Sequence, residues 1–264
     1  MKSRLLVAAI GIPLILWVIL WAPFIVLKLV LALLAAIGAY ELMKCVNSHP
    51  YSCAGIAIAA GIALAWRQYC EILLVAYVLF VFLRAVIKAG EIKWQELATS
   101  VFCLVVIPYG FSAFLRLSDV GYHRAVLLLP LIFSFASDTG AFFAGLTLGK
   151  HKLAPVLSPK KTIEGLVGGI VSNLVLSILF VLIYSLSVEG VESVSYLLVI
   201  LVAVLGSLVS VVGDLFASAI KRYYKIKDYG NIMPGHGGVL DRFDSMLMVT
   251  AYMVMIMQVF TLVR

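Results

Sequence analysis

Charge is scarce in this chain. Of its 264 residues only 12% are Asp, Glu, Lys or Arg, and just 13 are acidic. A water-soluble domain of this size carries about 25% charged and roughly 45–50% apolar residues. Here the apolar share is 64%, more than one small core can bury, so the solvent for most of the chain is lipid. Cysteine is sparse as well. Cys45, Cys53, Cys70 and Cys103 form no CxxC pair, and none lies near a histidine at zinc spacing. They read as small apolar fillers rather than as a metal or redox motif. Cys103 lies inside an apolar run, which speaks against a disulfide framework. No repeat of fixed period and no low-complexity linker interrupts the chain.

Long hydrophobic runs are what the sequence has in abundance. A helix needs about 20 apolar residues to cross the hydrocarbon core. Nine spans are expected, at 5–21, 24–40, 52–66, 71–88, 97–115, 125–148, 164–187, 194–220 and 240–262. Unpaired sheet edges do not survive in lipid, so the expected class is an all-α polytopic membrane protein. The run from Leu5 to Trp21 has no small-x-small cleavage site after it and is read as an uncleaved first span. Lys28, inside the second run, is expected to snorkel.

The net charge is +7. In a membrane protein, topology and anionic substrates explain such a balance better than nucleic acid does. With nine spans, 15 of the 20 Lys and Arg residues fall on the side of the N-terminus. Four, Arg67, Arg116, Arg124 and Arg264, fall on the other. The positive-inside rule makes the N-terminal side cytoplasmic. Two polar, basic, Gly- and Pro-rich segments, 149–163 and 221–240, lie on that side. Chemistry is therefore expected on the cytoplasmic face, carried by residues 125–264, with residues 1–124 as scaffold.

Asp214, Ser218 and Lys221 fall at i, i+4 and i+7, on one helix face. Asp214 lies about 30 Å along its span, near the cytoplasmic edge of the hydrocarbon. An acid there is costly unless it is paired, metal-bound or facing water. Taken alone, it reads equally well as an interfacial acid paired with Lys221. Next comes Asn231-Ile232-Met233-Pro234-Gly235-His236-Gly237-Gly238-Val239-Leu240-Asp241-Arg242-Phe243-Asp244-Ser245, a Gly-rich turn feeding a helix. Glycines let backbone N–H groups approach phosphate, and a helix start favours anions. Asp241 and Asp244 could equally be helix-start acids. Capping accounts for one or two of them, but not for the glycines. Carboxylates on two helices beside Lys221, Arg222, Lys225, Lys227 and Arg242 suggest a hard cation such as Mg²⁺ holding a polyphosphate. Positive-inside topology explains part of that basic cluster.

A third feature is Ser137-Asp138-Thr139-Gly140. Asp138 lies roughly 20 Å into the sixth span, where an acid is a functional candidate by default. Beyond it, Lys150, Lys160 and Lys161 could clamp phosphate, while Ser158 or Thr162 could cap the next helix with Glu164 in its first turn. His236 alone among the histidines has a strong context; His49, His123 and His151 look interfacial.

These residues carry a resemblance. The run Ser218-x-Ile220-Lys221-Arg222, Lys227-Asp228-x-Gly230, Pro234-x-His236-Gly237-Gly238-Val239-x-Asp241-Arg242-Phe243-Asp244 closely resembles the signature of phosphatidate cytidylyltransferases, the CDP-diacylglycerol synthases. Ser137-Asp138-Thr139-Gly140 and Ser158-Pro159-Lys160-Lys161-Thr162 resemble the same family. The resemblance implies transfer of a cytidylyl group from CTP to phosphatidic acid, releasing pyrophosphate. It implies Asp214, Asp241 and Asp244 as metal ligands, with Lys221 in the catalytic set. Mg²⁺ would be the metal, with a second, monovalent cation such as K⁺. Substrate contacts would come from Asp138, Lys160, Lys161, Ser218, Arg222, Lys227, His236, Gly237, Gly238 and Arg242, with Asp138 buried between spans beside the lipid headgroup. Expected partners are CTP, phosphatidic acid and membrane lipid, with no nucleic acid and with a homodimer among the assemblies open to it. The expected location is a bacterial inner membrane. Rival readings are another CTP-dependent lipid transferase (an ether-lipid CDP synthase or a polyprenol kinase) and a lipid transporter. No Asp-Gly-x2-Ala-Arg segment supports a CDP-alcohol phosphotransferase. No matched pair of broken helices supports a transporter.

Overall fold

Lipid offers peptide groups no hydrogen-bond partner, so a spanning chain must satisfy its own backbone. The computed structural model describes residues 2–46, 49–64, 69–88, 94–119, 123–188, 194–232 and 237–260. Among these it contains nine α-helices. They are α1 (Lys2–Leu20), α2 (Phe24–Cys45), α3 (His49–Leu64), α4 (Cys70–Ile87), α5 (Trp94–Ser118), α6 (Leu129–Leu148), α7 (Ile163–Ser187), α8 (Tyr196–Tyr223) and α9 (Leu240–Val259). A 3₁₀ turn, Arg124–Leu128, leads into α6. Five helical segments are long and apolar enough to cross a bilayer: α2, α5, α6 with its 3₁₀ turn, α7 and α8. The protein is thus an all-α polytopic membrane protein.

Its residues form two compact units, 1–115 with 223–243, and 116–222 with 244–264. In the first unit α2 packs along α3, and α3 on α4. Leu42, Met43, Ile62, Tyr77, Ile107, Phe111 and Leu115 are among its large fully buried side chains. Gln95 Nε2 donates to the Tyr223 hydroxyl at 2.8 Å, and the Thr99 and Tyr224 hydroxyls share a bond of 2.9 Å. The Phe111 and Phe243 rings lie 5.7 Å apart. These contacts tie Tyr223, Tyr224 and Phe243 to α5. Cys103 is buried and Cys45 half-buried, both as free thiols. The side chains of Cys53, Cys70 and His49 lie outside the described residues. Lys28 lies over the Phe24 ring, 5.1 Å from its centroid.

In the second unit α7 has two faces at i+4 spacing. Val167, Val171, Val175, Leu179 and Ile183 are exposed, while Gly165, Gly169, Asn173, Ser177, Val181 and Tyr184 are buried. Small and polar groups inside, branched apolar groups outside, is the pattern of a helix solvated by lipid. Gly169 lets α6 approach so closely that a Cβ there would stand 2.7 Å from the Ser137 carbonyl. Buried polar groups pair: Ser134 with Ser245 at 2.6 Å, Ser137 with Ser207 at 2.8 Å, and Asn173 Nδ2 to the Ala203 carbonyl at 2.8 Å.

One element differs from the sequence expectation. Residues 152–162 form an antiparallel hairpin, β1 (Lys152–Ala154) against β2 (Ser158–Thr162), with Lys152 opposite Thr162 and Ala154 opposite Ser158. The exclusion of sheets applies only where edges meet lipid. This segment is polar, and water can satisfy its outer edges. Of the two candidate caps it is Thr162 that serves α7, its hydroxyl accepting from Gly165 N at 3.0 Å. Glu164, in the first turn, accepts from Lys150 N at 3.0 Å and meets the His151 ring at 2.7 Å.

Candidate functional site

The apolar run of α8 ends in a polar turn, and the one-face spacing expected there is present. The Ser218 hydroxyl points to Asp214 Oδ1 at 3.5 Å. Asp214 is ion-paired with Lys161 of β2. Strand alternation separates the two neighbouring lysines, turning Lys161 inward and leaving Lys160 exposed. A turn beyond Ser218, Lys221 Nζ lies 3.9 Å from Asp244 Oδ2. Asp244 also lies within electrostatic reach of Asp214 and Asp138. The second unit therefore gathers two carboxylates and two lysines, each half-buried or nearly buried, so that their charges offset. Arg222 reaches the hairpin, with Nε donating to the Leu157 carbonyl at 3.4 Å.

Asp138 departs from expectation. It is exposed rather than buried. The faces of α6 explain this: Ser134 and Ser137 are the residues turned inward, and position 138 is rotated about 100° from its neighbour.

In the first unit the Gly-rich turn is held by carboxylates that bind backbone. Asp241 Oδ2 accepts from Tyr229 N at 2.8 Å and from Gly238 N at 3.0 Å. Gly238 N–H, an expected phosphate donor, is thus occupied by Asp241. Gly237 has φ +83°, a conformation open to glycine and strained for most other residues. Glu41 of α2 is only 2% exposed. Its Oε1 accepts from Val239 N at 3.0 Å, and its Oε2 from Leu240 N at 2.8 Å. A Cβ on Gly238 would stand 2.5 Å from both Glu41 oxygens, so glycine is the residue that leaves room for the carboxylate. Lys227 and Arg242 are exposed. His236 and Gly235 lie outside the described residues.

Sequence reasoning missed Glu41. Its second span stopped at residue 40, which put the acid in a loop. The helix continues to Cys45, so Glu41 is an acid in the last turns of an apolar helix. That is the signal that had singled out Asp214 and Asp138.

The chain matches the model of the cytidylyltransferase family over residues 2–260. The phosphatidate cytidylyltransferase of Bacillus subtilis (strain 168) is 30% identical, the match covering 99% of each chain. Those of Staphylococcus saprophyticus (strain ATCC 15305) and Staphylococcus aureus (strain COL) are 33% identical, covering 94% of this chain and 96% of theirs. This chain belongs to the cytidylyltransferase family. Membership bears out the resemblance read from residues 137–245 and extends it over the N-terminal helices.

Family members of this kind raise the question of a divalent cation. Among the described residues no three His, Cys, Asp or Glu side chains are grouped to hold one. Mg²⁺, however, usually binds through one or two carboxylates and completes its shell with phosphate oxygens and water. The neighbouring carboxylates of Asp214 and Asp244 are an all-oxygen donor set of that size, so these residues fit the ion.

Proposed function

We propose that this protein transfers the cytidylyl group of CTP to phosphatidic acid, giving CDP-diacylglycerol and pyrophosphate. The observation that carries this reading is the near full-length match to three phosphatidate cytidylyltransferases. A phosphate oxygen of phosphatidic acid attacks the α-phosphorus of CTP. A new P–O bond forms while the bond from that phosphorus to the bridging oxygen of the β-phosphate breaks, and pyrophosphate leaves with the electron pair. The attacking phosphate is already ionised at neutral pH, so no strong base is needed. What the reaction requires is that anions be held together and their charge offset.

Lys161 and Lys221 are suited to that task. Each is paired with a carboxylate and can turn to a phosphate oxygen when one arrives. Asp214 and Asp244 would hold Mg²⁺, which when bound neutralises charge on phosphate oxygens. Lys160 on β2, Arg222 at the end of α8, Lys227 on the turn after it and Arg242 in the first turn of α9 are further phosphate contacts in this reading, and all four are exposed. The active face is cytoplasmic and the membrane a bacterial inner membrane, on the support of the Lys and Arg asymmetry and the bacterial relatives.

Purified protein in detergent, given phosphatidic acid, radiolabelled CTP and Mg²⁺, should yield a labelled lipid and pyrophosphate in equal amounts. Label appearing only with an unsaturated ether lipid or a polyprenol as acceptor would replace this reading by one of its rivals. A cysteine placed at Ser158 should be protected from an impermeant thiol reagent outside intact cells, and labelling there overturns the cytoplasmic assignment.

A further inference from the structure

A carboxylate in the last turns of an apolar helix is costly unless something offsets its charge. Glu41 is 2% exposed. Its two oxygens take two consecutive backbone N–H groups, those of Val239 and Leu240, at 3.0 and 2.8 Å across 198 and 199 residues of sequence. Those N–H groups open α9, where the helix dipole favours a negative charge. Two glycines make room for it: a Cβ at Gly238 or at Gly230 would collide with the Glu41 carboxyl. Two hydrogen bonds and two side-chain-free positions thus converge on one group in the half of the chain expected to be scaffold.

We propose that Glu41 is a positioning residue for the nucleotide site. It clamps the start of α9 so that the Gly237–Asp241 turn has one shape when the triphosphate arrives. It acts through that turn and touches no reacting atom. The inference rests on the proposed use of CTP. It gives α2 a defined part in binding CTP and none in binding the lipid acceptor.

Two measurements on the full-length protein in detergent test it. The first is amide hydrogen exchange, which needs no turnover. In Glu41→Gln the uncharged amide has one acceptor oxygen, and its NH₂ group opposes a backbone donor. Exchange in the peptide covering residues 237–243 should rise at least about tenfold, with peptides from α7 unchanged. The second is kinetic. Glu41→Gln should raise KM for CTP about tenfold or more and leave KM for phosphatidic acid within about twofold. Glu41→Asp, which keeps the charge, should recover part of the CTP effect. Gly230→Ala, which pushes the carboxyl aside without removing it, should reproduce the Glu41→Gln pattern.

Unchanged exchange at 237–243 overturns the clamp whatever the reaction is. Faster exchange with an unchanged KM for CTP, or with both KM values raised alike, overturns the link to the nucleotide. If the wild-type protein makes no labelled lipid from CTP, the functional reading has failed, and the exchange experiment still decides the clamp.

Discussion

Around Gly237–Asp241 the carboxylates of Glu41 and Asp241 meet backbone N–H groups. At the end of α8 those of Asp214 and Asp244 meet lysines. A backbone donor cannot leave without the chain changing shape, so the first arrangement sets a conformation. A lysine can swing on its four-carbon stem to another anion, and a carboxylate can accept another cation in its place. The second arrangement is therefore the one that can exchange partners with a charged ligand. Asp241 and Asp244, three positions apart in sequence, are thereby divided between holding a turn and holding charge.

Removing divalent cations should break that contrast most sharply. A chelator should abolish labelled-lipid formation and excess Mg²⁺ should restore it, while exchange in the 237–243 peptide stays unchanged. Activity that survives chelation contradicts the role given to Asp214 and Asp244.

Next in size are the exchangeable carboxylates themselves. Asp214→Asn and Asp244→Asn should each lower kcat/KM about 100-fold or more, with normal insertion and purification. The double variant should be little worse than either single one, because residues acting as a unit fail together. Losses that multiply would show the two acting independently.

Asp241→Asn probes the boundary between the two kinds of carboxylate. An amide oxygen can still accept from Tyr229 and Gly238 N–H, so a residue that only holds the turn should tolerate the change within about tenfold, much as Asn replaces Asp at helix caps. A metal-ligand role predicts a loss as deep as that of Asp214→Asn. With its hydrogen bonds going to backbone N–H groups, we expect the tolerant outcome, and a loss as deep as that of Asp214→Asn would add Asp241 to the metal ligands.

Smaller still are the effects of shape alone. Gly237→Ala forces a side chain into φ +83° at a cost of about 1–2 kcal/mol, which should appear as a raised KM for CTP and a lower Tm in detergent. Thr162→Ala removes the cap of α7 and should cost about 1 kcal/mol, seen as a lower Tm with activity altered only in proportion to folded protein.

Much of this molecule was legible because lipid makes simple demands. A chain that is 64% apolar must be helical where it meets lipid, so the class follows from composition and run length. The Asp214–Asp244 segment was legible for another reason: its glycines, acids and bases lie close in sequence, and helix periodicity places Asp214, Ser218 and Lys221 on one face without help from the fold. Local caps were legible to within a choice, and Thr162 was one of two candidates.

Partnership was decided by tertiary structure. Nothing in the spacing of Asp214 predicts that a strand will bring Lys161 to it. Nor does the sequence say that α6 turns Ser134 and Ser137 inward and leaves Asp138 exposed, since both faces of that helix carry polar residues. Glu41 is the clearest case. Its residue type marked it as costly in an apolar helix, but its partners are backbone N–H groups 198 residues away, and a backbone donor has no signature in sequence. Periodicity reports which residues share a face. What that face meets depends on which distant segment packs against it, and only the folded chain settles that.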